Sequence, residues 1–294
     1  MTMENDEYKK YLQVALSRPL PEKVSQAILF LQMHENLALS NHPEGYYLAY
    51  SGGKDSTVLL ALAKMAAVKH VPYYNQTTID PPELVRHIQE QENIIWNRPD
   101  MNLIWAMTGT NGPPTRLNRW CCKKYKEQGG DGRLKLIGVR AAESNNRAAT
   151  WREIIPNRNG GTILCPILYW TDEDVWTFIR HFNLSYCSLY DEGFTRLGCV
   201  GCPMSGKKGV RRDFERWPGF ERLWKLGFQK YFQRWKGVPR RDGKPRAIEK
   251  FNSWQELWDW WISREKWKPA EECQGQARLS QISGGTDDDD DAVS

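Results

Sequence analysis

The stretch YLAYSGGKDSTVLLALAKM, residues 47–65, constrains the fold more than any other part of the chain. A short apolar run, YYLAY (46–50), enters a glycine pair, and STVLLALAKMAAV (56–68) follows with helical length and composition. A buried strand turning sharply into a helix belongs to a parallel sheet whose faces are covered by helices. Later segments keep the alternation. VPYYN (71–75) reads as a strand and PPELVRHIQEQENII (81–95) as a helix; MNLIWAM (101–107) and LKLIGV (134–139) read as further strands. Pro21 heads an amphipathic helix, and TDEDVWTFIRHF (171–182) opens on Thr171 with Asp174 three residues on, close to a capping box. The expected fold class is α/β, a doubly wound parallel sheet with a helical C-terminal segment.

Gly52 and Gly53 let backbone N–H groups approach a ligand closely. A helix beginning at Ser56 turns its first N–H groups and positive dipole end toward the same place. Lys54 adds a mobile charge, and Ser51 and Ser56 add hydroxyl donors. Together these residues form a phosphate-binding turn. The Walker A spacing G-x-x-x-x-G-K-[ST] is absent from it. Asp55 has two readings, a Mg²⁺ ligand or a cap on the helix.

The seven cysteines are an odd number for a disulfide framework and suit a reducing compartment. No apolar run reaches the roughly 18 residues of a membrane span, and MTMENDEYKK has no signal-peptide layout. A cytoplasmic protein with no membrane partner is the expectation. Cys121 and Cys122 are adjacent, and Cys199 and Cys202 form a C-x-x-C whose intervening glycine bends tightly. Four thiolates could hold an iron–sulfur cluster or zinc, and ligand count does not separate them. Adjacent cysteines are less usual for structural zinc.

Ser-Gly-Gly-Lys-Asp-Ser resembles the PP-loop of ATP pyrophosphatases, which implies cleavage of ATP between its α and β phosphates. With Cys-Cys and a later C-x-x-C, the chain over residues 40 to 205 resembles the phosphoadenosine phosphosulfate (PAPS) reductase family in its cluster-bearing branch. That branch holds adenylyl-sulfate reductases and the ATP pyrophosphatases of DNA phosphorothioation. The resemblance implies an adenine nucleotide α-hydrolase-like sheet and a [4Fe-4S] cluster on Cys121, Cys122, Cys199 and Cys202. IGVRAAESNNRA (137–148) resembles the family's Gly-x-Arg strand end, here Gly138, Arg140, Ser144 and Arg147. Guanidinium forks there suit phosphate or sulfate oxygens, although pairing with Glu143 is the alternative. Asn75 and Thr78 are nucleotide contacts by position, or ordinary turn residues.

Two activities follow from the resemblance. In the first, ATP with Mg²⁺ adenylates an acceptor, the DNA backbone, for sulfur incorporation, and a cysteine desulfurase supplies the sulfur. In the second, the chain is an adenylyl-sulfate or PAPS reductase, with Cys273 as nucleophile and thioredoxin as partner. The reductase pattern Glu-Cys-Gly-Leu-His is only partly met, because Gln274, Gly275 and Gln276 follow Glu272 and Cys273. A tRNA thiolase is the third reading. Residues 206–278 hold 19 Lys/Arg against 10 Asp/Glu and eight of the 14 tryptophans. Cations interleaved with aromatics suit a polyanion with stackable bases; the alternative is a helical subdomain whose tryptophans are core and whose charges form a solvated face. The organisation is then a helical segment (1–40), a nucleotide-binding domain carrying the cysteines (41–205), a basic Trp-rich helical segment (206–278) and an acidic tail (279–294) expected to be disordered.

Overall fold

In the computed structural model the described residues are 5–157 and 160–263. They fall into two units, one running to Leu103 and over Arg119–Val200, the other comprising Ile104–Asn118 and the residues from Gly201 on.

The first unit opens on two helices, α1 (Asn5–Ser17) and α2 (Leu20–Asn41), the latter carrying Pro21 in its first turn where a missing N–H costs nothing. Strand β1 (Tyr46–Ala49) then runs into α3 (Lys54–Met65). The helix begins two residues before Ser56 because Gly53, with φ −80° and ψ 160°, already serves as its N-cap. Next come β2 (His70–Asn75), α4 (Pro82–Gln89) and β3 (Ile95–Asn97). MNLIWAM does not supply the third strand: α5 (Leu103–Ala106) is a helical turn. Leu103 and Met107 are buried while Trp105 between them is 51% exposed, a helical rather than a two-residue period. Strand β4 (Leu134–Leu136), α6 (Asn145–Thr150), β5 (Ile154–Pro156), β6 (Thr162–Leu164) and α7 (Asp172–His181) complete the unit. Thr171 and Asp174 close the expected capping box on α7.

The strand order is β3-β2-β1-β4-β6-β5, with β5 alone antiparallel, at one edge. Tyr47 pairs with Val71 of β2 on one side and with Lys135 of β4 on the other. The chain reverses direction across the sheet at β1 and β4, and open α/β sheets bind ligands beyond the carboxyl ends of strands at such a point. Tyr46, Leu48, Leu59, Leu62 and Trp170 are sealed from solvent around it.

In the second unit, α8 (Lys207–Arg216), α9 (Pro218–Trp235) and α10 (Trp254–Ser263) pack through aromatic rings. Trp224 lies 5.0 Å from Trp261, and Phe228 lies 5.2 Å from Trp258. Trp217, Trp224, Trp258 and Trp261 are all buried. Four of the eight tryptophans of 206–278 are therefore core residues rather than stacking surfaces; Trp235, Trp254 and Trp260 are half-buried, and Trp267 lies outside the described residues. No helix among the described residues is long and apolar enough to cross a membrane.

Candidate nucleotide site

The turn after β1 is built by glycine. Gly52 has φ +72°, and a Cβ there would stand 2.6 Å from Ile88 Cγ1 and 2.8 Å from Leu84 Cδ1 of α4. Both the left-handed backbone and the close packing exclude a side chain. Ser56 is buried and closes the loop from within: its Oγ donates to the Gly53 carbonyl at 2.9 Å and accepts from the Ser51 N–H at 3.2 Å. Ser51 is exposed; its hydroxyl lies 3.1 Å from Ser56 Oγ and accepts from the Gly53 N–H at 3.4 Å. Gly138, beyond β4, lets that strand end approach α3, where a Cβ would lie 3.0 Å from the Asp55 carbonyl oxygen.

Four charged side chains surround the first turn of α3. Lys54, 5% exposed, places Nζ 3.2 Å from Asp172 Oδ1, 3.8 Å from Asp55 Oδ2, and donates to the Thr195 carbonyl at 3.2 Å. Arg140 is equally buried; its Nε donates to Asp55 Oδ1 at 2.5 Å and Nη2 to Asp172 Oδ1 at 2.9 Å. Asp55 therefore faces two cations rather than capping the helix. The Lys54 N–H, which has no acceptor within the helix, donates to Tyr190 Oη at 2.9 Å. Burial raises the Tyr190 hydroxyl well above its usual range, so it stays a neutral acceptor. Asp172, Tyr190 and Thr195 are site residues that the sequence reading misses.

Arg147 pairs with Glu143, whose carboxylate also accepts from the Arg140 N–H at 3.1 Å. Burial lowers the Arg147 pKa, Glu143 opposes this, and nearby Arg196 adds to it. Ser144 caps α6 by accepting from the Arg147 N–H at 3.2 Å.

Beside the loop lies a cavity of about 110 Å³ lined by Ser51, Tyr50, Tyr73, Asn75, Lys126 and Gly198, among others. Asn75 lines it but commits its amide to the carbonyls of Lys126 and Gln128, both at 2.9 Å. Thr78 has φ +69° and accepts from the Leu103 N–H at 2.9 Å, as a turn residue does.

Among the described residues no group of three or more His, Cys, Asp or Glu side chains is placed to hold a metal ion. The Cys199 thiol donates instead to Thr77 Oγ1 at 3.4 Å. Cys121, Cys122 and Cys199 belong to the first unit and Cys202 to the second. The donor chemistry at the first pair does suit a metal. A hydrogen bond from Cys121, with Arg119 and Lys126 beside it, pushes the Cys122 thiol down to about 5. Cys273 lies outside the described residues.

Comparison with known proteins gives relatives and a family. An uncharacterized protein of Methanocaldococcus jannaschii is 29% identical over 241 residues, 75% of this chain and 45% of that one. The Staphylococcus haemolyticus adenosine 5'-phosphosulfate reductase is 27% identical over 155 residues, 50% of this chain and 63% of that one. A crystal structure of phosphoadenylyl-sulfate reductase from Candida auris, in a phosphate complex, aligns with 14% identity and a TM-score of 0.44, covering 68% of this chain and 97% of that one. The chain spans about half the length of the first of these relatives and of a second uncharacterized Methanocaldococcus jannaschii protein, 45% and 51%. Residues 45–205, more than half the chain, match the phosphoadenosine phosphosulfate reductase domain, and the protein belongs to that family.

Proposed function

We propose that the chain binds ATP with its phosphates on the Ser51–Ser56 turn and adenylates an oxygen of the DNA backbone, preparing it for sulfur incorporation. The observation that carries this reading is the N-terminus of α3. The Gly52 turn, the exposed Ser51 hydroxyl and two buried cations, Lys54 and Arg140, converge there beside a cavity walled by Tyr50 and Tyr73. The cavity takes the nucleoside and the turn takes the pyrophosphate. An acceptor oxygen attacks the α-phosphorus, the bond to the β-phosphate breaks, and pyrophosphate leaves. Lys54 and Arg140 stabilise the charge that develops on the leaving group. Mg²⁺ enters with the nucleotide. In the resulting mixed anhydride AMP is the leaving group. A sulfur nucleophile from a cysteine desulfurase forms a bond to the backbone phosphorus as the bond to the activated oxygen breaks, and a thiol reductant then frees the sulfur from its persulfide carrier. Cys121, Cys122, Cys199 and Cys202 would hold a [4Fe-4S] cluster, or zinc in its place.

The test is pyrophosphate release by anaerobically purified protein with ATP, with and without duplex DNA. Release that depends on Lys54 supports the reading. The second reading is a sulfonucleotide reductase acting through Cys273, supported by the 155-residue match to a protein of that name. Sulfite formed from adenylyl sulfate with ATP inert, and lost in Cys273→Ser, would establish the reductase.

A further inference from the structure

Residues 222–246 of the second unit hold nine Lys/Arg and a single acid, Asp242. Their placement is ordered. On α9, Arg222, Lys230 and Arg234 fall at successive helical spacings on the face that also exposes Leu223 and Leu226. The helix then runs into an exposed loop. The Arg240 N–H donates to the Lys244 carbonyl at 2.9 Å and the Gly243 N–H to the Arg240 carbonyl at 3.0 Å, making a tight turn. Arg240, Arg241 and Lys244 project from its tip. At the loop's base, Arg246 sits 4.1 Å above the Trp235 ring and donates to the Val238 carbonyl at 3.1 Å.

From this arrangement we infer that the second unit holds duplex DNA by its phosphate backbone, through the α9 face and the 240–244 turn. The inference rests on the reading of DNA as the acceptor and supplies the surface for it. Charge complementarity identifies the partner: Lys225, Lys236 and Arg240 pair with Glu221, Glu249 and Asp242, and the other six cations of these 25 residues match a polymer carrying one negative charge per about 1.7 Å. The rings argue for a duplex over a single strand. Single-strand binders stack successive bases on exposed aromatics, whereas Trp217, Trp224, Trp258 and Trp261 are core. Two rings near the stripe are occupied by cations, Trp105 by Lys230 at 4.9 Å and Trp235 by Arg246. Among the described residues no tryptophan of this unit beyond Trp105 is exposed, and a row of cations with its nearest rings already covered reads backbone rather than sequence.

The experiment is fluorescence anisotropy of the full chain with a labelled duplex, its single strand and a matched RNA duplex, across a salt series without ATP. Wild-type protein should bind the DNA duplex best, with affinity falling steeply as salt rises. The triple variant Arg240→Gln, Arg241→Gln, Lys244→Gln alters only exposed positions. It should weaken binding about tenfold or more and reduce the slope of log K against log salt by about 2.7, at 0.9 per lost phosphate contact. Lys230→Gln with Arg234→Gln should act the same way on the helix. Lys10→Gln, Lys64→Gln and Lys69→Gln, exposed cations of the first unit, should leave the slope unchanged. Equal losses in both sets, tighter binding of single strand or RNA, or a wild-type slope near zero would each overturn the inference. Because ATP is absent, failure here leaves the nucleotide reading standing, and failed pyrophosphate release leaves this result standing.

Discussion

The ammonium of Lys54 stands 3.2 Å from the carboxylate of Asp172, a residue 118 positions away on the first turn of α7. Arg140 reaches the same oxygen, so one carboxylate anchors both cations proposed to meet the phosphates. ATP must compete with Asp172 for them. Lys54→Ala should cut pyrophosphate release about 100-fold or more, the scale of losing one preorganised donor, with the fold retained by circular dichroism. Asp172→Asn keeps the shape and removes the competitor. Calorimetry should then show ATP binding a few-fold tighter, about 1 kcal/mol, since Asp172 is well exposed and its pairing is screened. Weaker binding would show that Asp172 serves the ligand rather than restraining its partners.

Gly52 and Gly132 separate two costs of adding a methyl group. Both have positive φ, +72° and +73°. Only Gly52 is crowded, by Ile88 and Leu84, while nothing lies within 4 Å of a Cβ at Gly132. Gly132→Ala should lose about 1 kcal/mol of stability from backbone strain alone. Gly52→Ala adds overpacking and should lose about 3 kcal/mol and abolish nucleotide binding. Urea denaturation measures both, and equal losses would remove the packing argument.

His87 on α4 is buried, with Nε2 lacking a partner among the described residues. Burial depresses its pKa below the ordinary 6.5, against the opposing pull of Glu90. The folded state thus disfavours the proton that the unfolded chain accepts. Stability from this group is present above about pH 6.5 and declines as pH falls through that value. Melting temperature should drop from about pH 8 to about pH 5, and His87→Gln should flatten the profile over that window. Because His87 neighbours Ile88, which packs on Gly52, ATP affinity should weaken in parallel.

What the sequence made legible was local. Gly52, Gly53 and Ser56 lie within five residues of one another, and their turn follows from φ and helix geometry alone. Asp172, Tyr190 and Thr195 reach Lys54 only through the tertiary fold. Thr171 and Asp174 were readable as a cap, yet the site residue is Asp172 between them, because the cap aims the first turn of α7 toward Lys54. The four buried tryptophans of the second unit mislead for a different reason. Composition cannot distinguish a ring that stacks on a base from one that fills a core, and only the contacts of Trp224 with Trp261 decide it.

Cys121 and Cys122 provide the test of the metal proposal. A thiol lowered to about 5 is a thiolate at neutral pH, the form a metal requires. Anaerobically purified protein should contain iron and acid-labile sulfide and be brown. Cys199→Ser and Cys202→Ser should each bleach it. Zinc without iron would assign these thiols to a structural site.

Asn75 ties the cavity to the segment that carries those cysteines. Its amide donates to the Lys126 and Gln128 carbonyls and its oxygen accepts from Asn97 Nδ2 at 2.7 Å. The π-helical turn Cys122–Lys126 ends where these bonds begin. Asn75→Ala removes three hydrogen bonds and leaves two carbonyls to find other donors, a loss of about 2 kcal/mol. If Asn75 acts by holding the segment, the variant should be cleaved faster by protease between Lys123 and Gln128, with ATP affinity reduced as Lys126 leaves the cavity wall. Saturating ATP should restore the wild-type cleavage rate, because a ligand that binds the ordered segment shifts its population back. Lower affinity with unchanged cleavage would instead make Asn75 a direct contact to the nucleoside.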